Sequence, residues 1–295
     1  MAVTTFSALS IGYLAANRLA DQDRLRVHSC FQRSLNLGHP DGYLLPLLSS
    51  DFQNLPDAIR IPVRREWDWR HHAQIGQTAT FHHGVLHGVG WRVEIDDAAC
   101  WQPDQMDAGE PALLSVLSHY ATLEWQLIEY CRQHPSESDL QLLPGRVQSG
   151  TARHPPHVVQ LDLADSPELL AAEVTALIGY GRGLTPDGDD YLLGYMAALW
   201  PWRQHPAVAS HDGALRDLVG SQLSRTNDIS RHYLARALAG HFSAPICQLM
   251  LVLASTASAG QVQLAALEVV QFGASSGVDC LAGILHGLRT LRSSL

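Results

Sequence analysis

The chain has 295 residues and a formal net charge of −9 with histidine neutral, and all 20 of its lysine-or-arginine residues are arginine. Without lysine it cannot hold phosphate through a P-loop lysine or form a Schiff base with pyridoxal phosphate or a carbonyl substrate. The arginines are scattered and the charge balance is acidic, which argues against a nucleic-acid partner, because binding to a phosphate backbone requires a concentrated positive surface.

The cellular location is inferred from the hydrophobic pattern and the cysteines. The first residues lack the positive start and the unbroken apolar stretch of a secretory signal, and the longest apolar run, Ala244 to Ala254, is about half of a membrane span. The five cysteines are widely spaced and form no CxxC pair, which favours reduced thiols over disulfides or a structural zinc site. We therefore expect a cytoplasmic protein with no membrane partner.

The N-terminal part is predicted to be rich in β-structure. A helix is expected near Ser7 to Ala20, and from about Val27 to Pro103 short segments of β-forming residues alternate with turn signals such as His-Pro-Asp-Gly at 39–42. Alternation of apolar and polar residues over 91–95 predicts a half-buried strand. The prediction is a barrel-like β-rich domain, residues 1–108, with a leading helix.

Three histidines in this part, His82, His83 and His87, raise the question of a metal site. On a strand His83 and His87 would share a face, and on a helix they would lie one turn apart. The sequence has no glutamate in the HExxH position here, and the flanking residues are typical of an ordinary sheet. A polar strand or turn is the favoured interpretation, and a metal site is the alternative.

The pattern becomes helical after Gly109. Apolar residues recur every three or four positions from Leu113 to Tyr130, which predicts a helix ending near His134. The polar segment 136–156 is expected to be a connection, and Ser166 is a natural cap for a helix that runs to about residue 180. Later helices are predicted at about 215–223, 229–237, 244–257, 262–272 and 278–291.

These patterns define the fold class. The helix at 244–257 is apolar on nearly every side and is expected to lie centrally among the others. The C-terminal domain, residues 109–295, is therefore predicted to be mainly α-helical. The predicted fold class is α+β, with a β-rich, barrel-like N-terminal unit followed by this helical domain.

The sharpest motif is the glycine loop, residues 179–190, with the sequence Gly-Tyr-Gly-Arg-Gly-Leu-Thr-Pro-Asp-Gly-Asp-Asp. Its alternate glycines allow tight turns and let a ligand approach the backbone without Cβ obstruction. Thr185 is predicted to be the N-cap and Pro186 the first residue of a helix that runs to about Trp200.

This loop is a candidate site for an anion. The free N–H groups and the positive dipole end of the new helix would favour phosphate or carboxylate, with Gly181, Arg182, Gly183 and Gly188 around the ligand. Asp189 and Asp190 supply the oxygen ligands that magnesium prefers beside phosphate. The alternative is that these acidic residues only complement the helix dipole. Arg182, Arg225 and Arg231 are the arginines best suited to carboxylate or phosphate.

Two further helix starts carry similar small polar residues. Ser276 fits an N-cap with Asp279 three residues later, which is the spacing of a capping box, and it is preceded by Ser275 and followed by Gly277. Thr226 and Ser230 are four residues apart and would share a helix face if the helix begins early enough. Each start could be simple capping. Together with the glycine loop, however, they could converge on one anionic ligand.

These three segments, in this order, resemble the family of the AllH subunit of oxamate carbamoyltransferase. The close resemblance covers about 178–288, and a weaker one upstream rests mainly on 31–47 and on the Trp-Gln-Pro at 101–103. Asp187 stands where the family usually has serine, and Arg182 occupies a variable position. The residues that match the family's motifs are Gly181, Gly183, Thr185, Pro186, Asp189, Asp190, Thr226, Ser230, Ser276, Gly277 and Asp279.

The resemblance implies a role in allantoin or related purine catabolism, in which a carbamoyl group passes between oxamate and phosphate. It also implies a complex with an FdrA-type subunit, similar to acyl-CoA synthetases, and an AllG-type subunit. The resulting hypothesis is a transferase subunit that binds carbamoyl phosphate or an oxamate-like anion at the glycine loop, with Mg²⁺ as a candidate cofactor. It would act by positioning and electrostatics, because no nucleophile–base pair can be read from the sequence. The alternatives are a non-catalytic scaffold or regulatory subunit, and a free-standing hydrolase.

Overall fold

The computed structural model of the chain describes residues 3–64, 66–134, 138, 140, 159, 161–162 and 166–294. Two compact units divide the chain, Met1–Pro103 and Asp104–Leu295. The first carries a curled half-barrel sheet and the second is mostly helical, so the predicted α+β fold class is confirmed. A division into independent domains at residue 108 stays a prediction, and most of the predicted connection at 136–156 lies outside the described residues.

The first unit consists of one sheet and two short helices. The helices are α1 (Tyr13–Arg18) and α2 (Trp69–His72). The strands are β1 (Thr4–Ser7), β2 (Ser10–Gly12), β3 (Arg24–Cys30), β4 (Ser34–Gly38), β5 (Leu44–Ser49), β6 (Ile59–Ile61), β7 (Thr78–His82), β8 (Val85–His87), β9 (Trp91–Glu94) and β10 (Ala99–Trp101). Within the described residues, the strand order is β1-β9-β8-β7-β3-β4-β5-β6-β2-β10.

Two residues join the two ends of this sheet. Strand β1 pairs in parallel with β9, whereas β2 pairs with β6 and β10 at the opposite end of the strand order. Between β1 and β2, the amide of Ala8 donates to the carbonyl of Glu94 at 2.8 Å, and the amide of Leu9 donates to the carbonyl of Arg60 at 2.8 Å. The curl of the sheet brings its ends close enough for this short link.

The prediction of a helix near Ser7 to Ala20 is wrong for the residues up to Gly12, which belong to strands β1 and β2 and the link between them. Only α1, which follows Gly12, is helical. The strand partners lie near residues 60, 91 and 100, so nothing local in the sequence reveals them. At Gly12 an added Cβ would lie 2.2 Å from the carbonyl oxygen of Leu55. The close approach of two backbones at this point therefore requires glycine.

The core of the first unit confirms the half-buried strand predicted at 91–95. Along β9, Trp91 and Val93 are buried and Arg92 is exposed, as the alternating pattern indicates. The ring of Trp91 meets the ring of Trp69 edge to face, with centroids 5.3 Å apart, and both side chains are fully buried. Such aromatic pairs add packing energy beyond the area that they bury.

The second unit is helical in its described part, where no helix is both long enough and apolar enough to span a bilayer. Short 3₁₀ turns follow two of its helices, at Trp200–Trp202 and Leu223–Arg225. The helices are α3 (Glu110–Ser118), α4 (Tyr120–Gln133), α5 (Pro167–Leu177), α6 (Asp187–Leu199), α7 (Pro206–Gln222), α8 (Asp228–Leu238), α9 (Ala244–Leu253), α10 (Ala259–Val270) and α11 (Ser276–Ser294).

Most helices of this unit lie where the sequence pattern predicts them, although α7 begins at Pro206, well before the predicted start near residue 215. Ser166 caps α5 as predicted, by accepting from the amide of Leu169 at 3.3 Å. The helix predicted over 113–130 is instead two helices, α3 and α4, which meet at His119. Helix α9 was expected to be central, but it buries one face only, and the most deeply buried helix is α6. Hydrophobicity alone does not reveal this, because the buried residues of α6 include three aspartates and two glycines.

Helices α6 and α11 pack with their backbones in direct contact. A Cβ added at Gly194 of α6 would lie 1.9 Å from the carbonyl oxygen of Cys280, and one added at Gly283 of α11 would lie 2.0 Å from that of Tyr191. Glycine therefore sets the separation of these two helices. The contact fixes the first turn of α6 beside the first turn of α11, where the candidate site lies.

Candidate functional site

The glycine loop adopts the backbone conformation for which its glycines are suited. Gly179, Gly181 and Gly183 have φ values of 75°, 108° and 90°, in the left-handed region that glycine enters at little cost. A Cβ at Gly181 would also lie 2.7 Å from the amide nitrogen of Asp187, whereas one at Gly183 would meet nothing within 4 Å. The loop thus folds closely over the start of α6.

The predicted cap of α6 is wrong by one residue. Pro186 is the N-cap and Asp187 is the first helical residue. The hydroxyl of Thr185 instead lies 2.8 Å from that of Ser276, at the start of α11. The cause is tertiary, because the hydroxyl of Thr185 bonds to Ser276 of another helix and to the Asp190 side chain in place of the backbone of α6.

Asp189 connects three parts of the chain. Its Oδ1 accepts from the amide of Gly179 at 2.9 Å, and its Oδ2 accepts from the hydroxyls of Thr226 at 2.5 Å and Ser230 at 2.6 Å. Both hydroxyls therefore meet the same carboxylate oxygen, although α8 begins only at Asp228, so Thr226 precedes the helix and Asn227 caps it. Burial raises the pKa of Asp189, and the three hydrogen bonds oppose that rise.

Asp190 lies between the starts of α6 and α11. The hydroxyls of Ser276 and Thr185 hydrogen-bond to it, yet burial dominates and raises its pKa to about 8. At neutral pH the group is therefore mainly a protonated carboxylic acid. Its Oδ2 is buried and has no hydrogen-bond partner among the described residues.

Asp187 completes the cluster of three carboxyl groups. It is buried, and its Oδ1 accepts from the hydroxyl of Ser275 at 3.1 Å.

Ser276 was predicted to be the N-cap of the last helix, but α11 begins at Ser276 itself. Asp279, the predicted partner in a capping box, is fully buried and accepts from the hydroxyl of Ser138 at 2.5 Å.

Two of the remaining predicted site residues are glycines. Gly188 and Gly277 lie against neighbouring backbone, since a Cβ at these positions would be 2.1 Å from the carbonyl oxygen of Leu177 and 2.2 Å from that of Val269. Their part in ligand binding stays a prediction, and close helix packing accounts for both glycines.

The three predicted arginines lie on different segments. Arg225 donates to the carbonyl of Thr175 at 3.1 Å, and Arg231 pairs with Asp228 one turn earlier in α8. Arg182 is half-buried in the glycine loop itself. Of the three, Arg182 is therefore the one carried by the loop beside the carboxyl cluster.

Sequence reasoning missed the partners of this cluster. The contact from Ser138 to Asp279 spans 141 residues, and Ser138 falls in the segment predicted to be a connection. The glycines of the α6–α11 contact were also missed, although the spacing of Gly194, Gly283 and Gly287 inside predicted helices was a usable signal. Glycine in a helix interior is costly and therefore indicates close packing.

The three histidines of the first unit separate into two groups. His82 ends β7 and His83 begins the following turn, and both lie beside Asp21. His87 lies on β8, in register with Thr80 and Arg92. The turn interpretation thus holds for His83, and the strand interpretation holds for His82 and His87.

Comparison with protein families gives two matches. Residues 7–100 match the AllH family N-terminal domain, and residues 177–288 match oxamate carbamoyltransferase subunit AllH. No solved structure matches the chain significantly. The second match spans the glycine loop and the starts of α8 and α11, which are the segments that meet at the carboxyl cluster.

Proposed function

The chain belongs to the AllH family, and we propose that it binds a small phosphate- or carboxylate-bearing substrate within an oxamate-type carbamoyltransferase complex. The family name supports a subunit role in that enzyme system and therefore other subunits as partners. We further propose that those partners are of the FdrA and AllG types, that the setting is purine nitrogen catabolism, and that the ligand is carbamoyl phosphate or an oxamate-like anion.

The observation that carries the proposal is the meeting of three distant helix starts. Thr226 of the α8 start and Asp189 of α6 are 37 residues apart, and Thr185 and Ser276 are 91 residues apart, yet each pair is within hydrogen-bond distance. Ordinary capping requires no such convergence, since each helix start can be satisfied by its own backbone and neighbouring residues. A ligand site shared by the three helix starts would explain why they converge.

The charge at this site is compatible with an anion. Three carboxylates in one helical turn would repel phosphate, but Asp190 carries a proton at neutral pH because burial raises its pKa to about 8. Three hydrogen-bond donors contact the carboxylate of Asp189 and compensate its negative charge. In the proposal, the backbone amides of the glycine loop, the dipole of α6 and the guanidinium of Arg182 hold the anion.

A magnesium ion fits Asp189 poorly. Both of its oxygens already accept hydrogen bonds from Gly179, Thr226 and Ser230. Asp190 retains one oxygen without a partner among the described residues, but it is mainly protonated at neutral pH. We therefore derive no step that passes through a metal, and the role of Asp189 and Asp190 as metal ligands stays a prediction.

In the proposed mechanism the chain positions a planar carbamoyl group and supplies no covalent nucleophile. Backbone amides of the glycine loop would face charge that develops on the carbonyl oxygen, where fixed dipoles are more effective than water. Holding the two reactants at close range accounts for the rest of the acceleration. Asp190, as a neutral acid, keeps the hydroxyls of Thr185 and Ser276 in place without adding negative charge.

Calorimetry on the purified chain, and on the complex with its partner subunits, tests this proposal. Oxamate and carbamoyl phosphate are titrated into wild type, Arg182→Gln and the control Arg231→Gln, which removes an arginine of α8 outside the glycine loop. We expect binding in wild type and the control, and at least tenfold weaker binding in Arg182→Gln. Equal affinities for all three chains, or no binding of either anion, would contradict the proposal.

One observation favours a non-catalytic scaffold as the second candidate function. The hydroxyls of Thr226, Ser230 and Ser275 are all directed at the chain's own carboxyl groups. A scaffold that only orders three segments for a partner subunit would need no more than this. In that case Arg182→Gln would leave turnover of the complex unchanged, and neither anion would bind.

A further inference from the structure

A second cluster of chemically active side chains lies in the first unit, far along the chain from the glycine loop. Asp21, His82 and His83 each offer one ligand atom, and these atoms all lie within 4.8 Å of one another. The Nδ1 of His82 is 3.0 Å from the Oδ1 of Asp21, and the two imidazole rings have centroids 3.9 Å apart. All three residues are exposed, with 48% exposure for the side chains of both Asp21 and His82.

The backbone holds the cluster in place. The amide of His83 donates to the Oδ1 of Asp21 at 2.8 Å, which fixes the carboxylate beside both imidazoles. The segment that carries Asp21 is hydrogen-bonded to β7 through its backbone. The amide of Gln22 donates to the carbonyl of Phe81 at 2.8 Å, and the amide of Phe81 donates to the carbonyl of Asp23 at 2.9 Å. The three side chains therefore start from nearby, backbone-fixed positions, which reduces the ordering cost of binding.

The turn between β7 and β8 also directs His83. His83 has φ of 45° and Gly84 has φ of 69°, the two positive values of a type I′ hairpin turn. Asparagine or aspartate ordinarily occupies the first of these positions. Histidine is also tolerated in this backbone region, and at position 83 it places an imidazole beside that of His82 and next to Asp21.

The spacing suits a transition metal. Zinc binds imidazole nitrogen at about 2.0–2.1 Å and carboxylate oxygen at about 2.0–2.2 Å, which places two ligand atoms of a tetrahedral site roughly 3.3 Å apart. The separation of 3.0 Å between Asp21 and His82 is already close to that value. Imidazole favours zinc, copper and nickel over magnesium or calcium. The site would keep at least one position for water or for a ligand from a partner.

We propose that Asp21, His82 and His83 form a binding site for one divalent transition-metal ion of the zinc type, at the β7–β8 turn of the N-terminal unit. Two imidazoles and one carboxylate are the protein ligands. The site belongs to a different unit from the glycine loop, so it neither requires nor supports the proposed anion site. His87 lies outside the ligand set although it is exposed on the adjacent strand.

Zinc titration of the full chain tests the proposal, with free Zn²⁺ followed by a competing chromophoric chelator. The variants are Asp21→Asn, His82→Gln and His83→Asn, the last of which keeps a residue suited to a type I′ turn. The matched control is His87→Gln. Circular dichroism of each apo chain confirms that the fold is retained.

We expect one tight Zn²⁺ equivalent in wild type and in His87→Gln, and at least tenfold weaker binding in each of the three variants. Saturating Zn²⁺ should also raise the melting temperature of wild type and of the control, with a smaller rise in His83→Asn. Absence of a tight equivalent in wild type, or equal loss in His87→Gln, would overturn the proposal. Retention of that equivalent in all three variants would overturn it as well.

Discussion

The hydroxyl of Thr226 donates a 2.5 Å hydrogen bond to the carboxylate of Asp189, which joins the start of α8 to the first turn of α6. A hydrogen bond to a charged group contributes about 1.5–3 kcal/mol. We expect Thr226→Val to lower the free energy of unfolding by that amount, as measured by urea denaturation. The control is Ser224→Ala, at an exposed position two residues earlier, and it should change stability by less than about 0.5 kcal/mol. Similar losses in both variants would mean that the contact does not stabilise the fold.

The buried carboxyl group of Asp190 should make stability depend on pH. Its pKa rises from 3.8 to about 8 on folding, so the folded chain keeps a proton that the unfolded chain releases between those values. This contribution is complete below pH 3.8 and is lost as pH rises towards 8, at about 1.4 kcal/mol per pH unit.

Unfolding experiments between pH 5 and pH 9 would measure this dependence. Asp190→Asn mimics the neutral acid, so we expect the stability advantage of the variant over wild type to grow steadily up to about pH 8 and then level. Asp217→Asn, which removes an exposed carboxylate from α7, is the control and should follow wild type. A difference between Asp190→Asn and wild type that stays constant over this range would refute the expected titration.

Because α6 and α11 are in direct contact, we expect glycine-to-alanine substitutions inside and outside that contact to change the free energy of unfolding in opposite directions. In Gly194→Ala the new Cβ would approach the carbonyl oxygen of Cys280 to 1.9 Å, so the helices must separate, and we expect a loss of about 2–3 kcal/mol. In Gly213→Ala, inside α7, nothing lies within 4 Å of the new Cβ, and we expect a gain of about 0.5–1 kcal/mol from helix propensity. Thermal unfolding of both variants measures this, and a loss in both would contradict the packing argument.

The buried pair of Tyr191 and His286 should stabilise the chain above pH 6.5. The hydroxyl of Tyr191 lies 2.5 Å from Nδ1 of His286, and burial lowers the pKa of His286 from 6.5 to about 4. The imidazole is therefore neutral and can accept the phenol proton. Stability from this group is present above pH 6.5 and is lost as pH falls towards 4.

Replacing Tyr191 by Phe would leave the His286 nitrogen buried without its partner, at a cost of about 1–3 kcal/mol near pH 7. The cost should shrink towards pH 4, where the wild-type pair is also disrupted. Tyr130→Phe, at a half-buried position on α4, is a suitable control for loss of a phenol. An unchanged free energy of unfolding for Tyr191→Phe would show that the pair contributes nothing.

The helical half was largely predictable because helix signals are local. The apolar spacing and the cap Ser166 lie within a few residues of the helices that they define. The start of the sheet was not predictable, since β1 pairs with residues 91–94. Pairing over that distance depends on the whole unit and leaves no short-range pattern.

For the candidate site, the sequence indicated which segments matter but not how they meet. The family motifs predicted that three helix starts are functionally related, and Thr185, Thr226 and Ser276 do lie at one cluster. The sequence could not predict to which acceptor each hydroxyl donates. Tertiary packing decides whether a hydroxyl caps its own helix or bonds to a group on another helix. That choice moved the cap of α6 from Thr185 to Pro186.

The two-residue link between β1 and β2 has a consequence for synthesis. β1 pairs with residues 91–94 and one edge of β2 pairs with residues 99–101, so the first two strands of this unit find these partners only when its last strands have been synthesised. Until then their edges are open to other chains. A nascent chain stalled before residue 90 would thus expose unpaired strands, and the N-terminal unit can complete its sheet only in one late step.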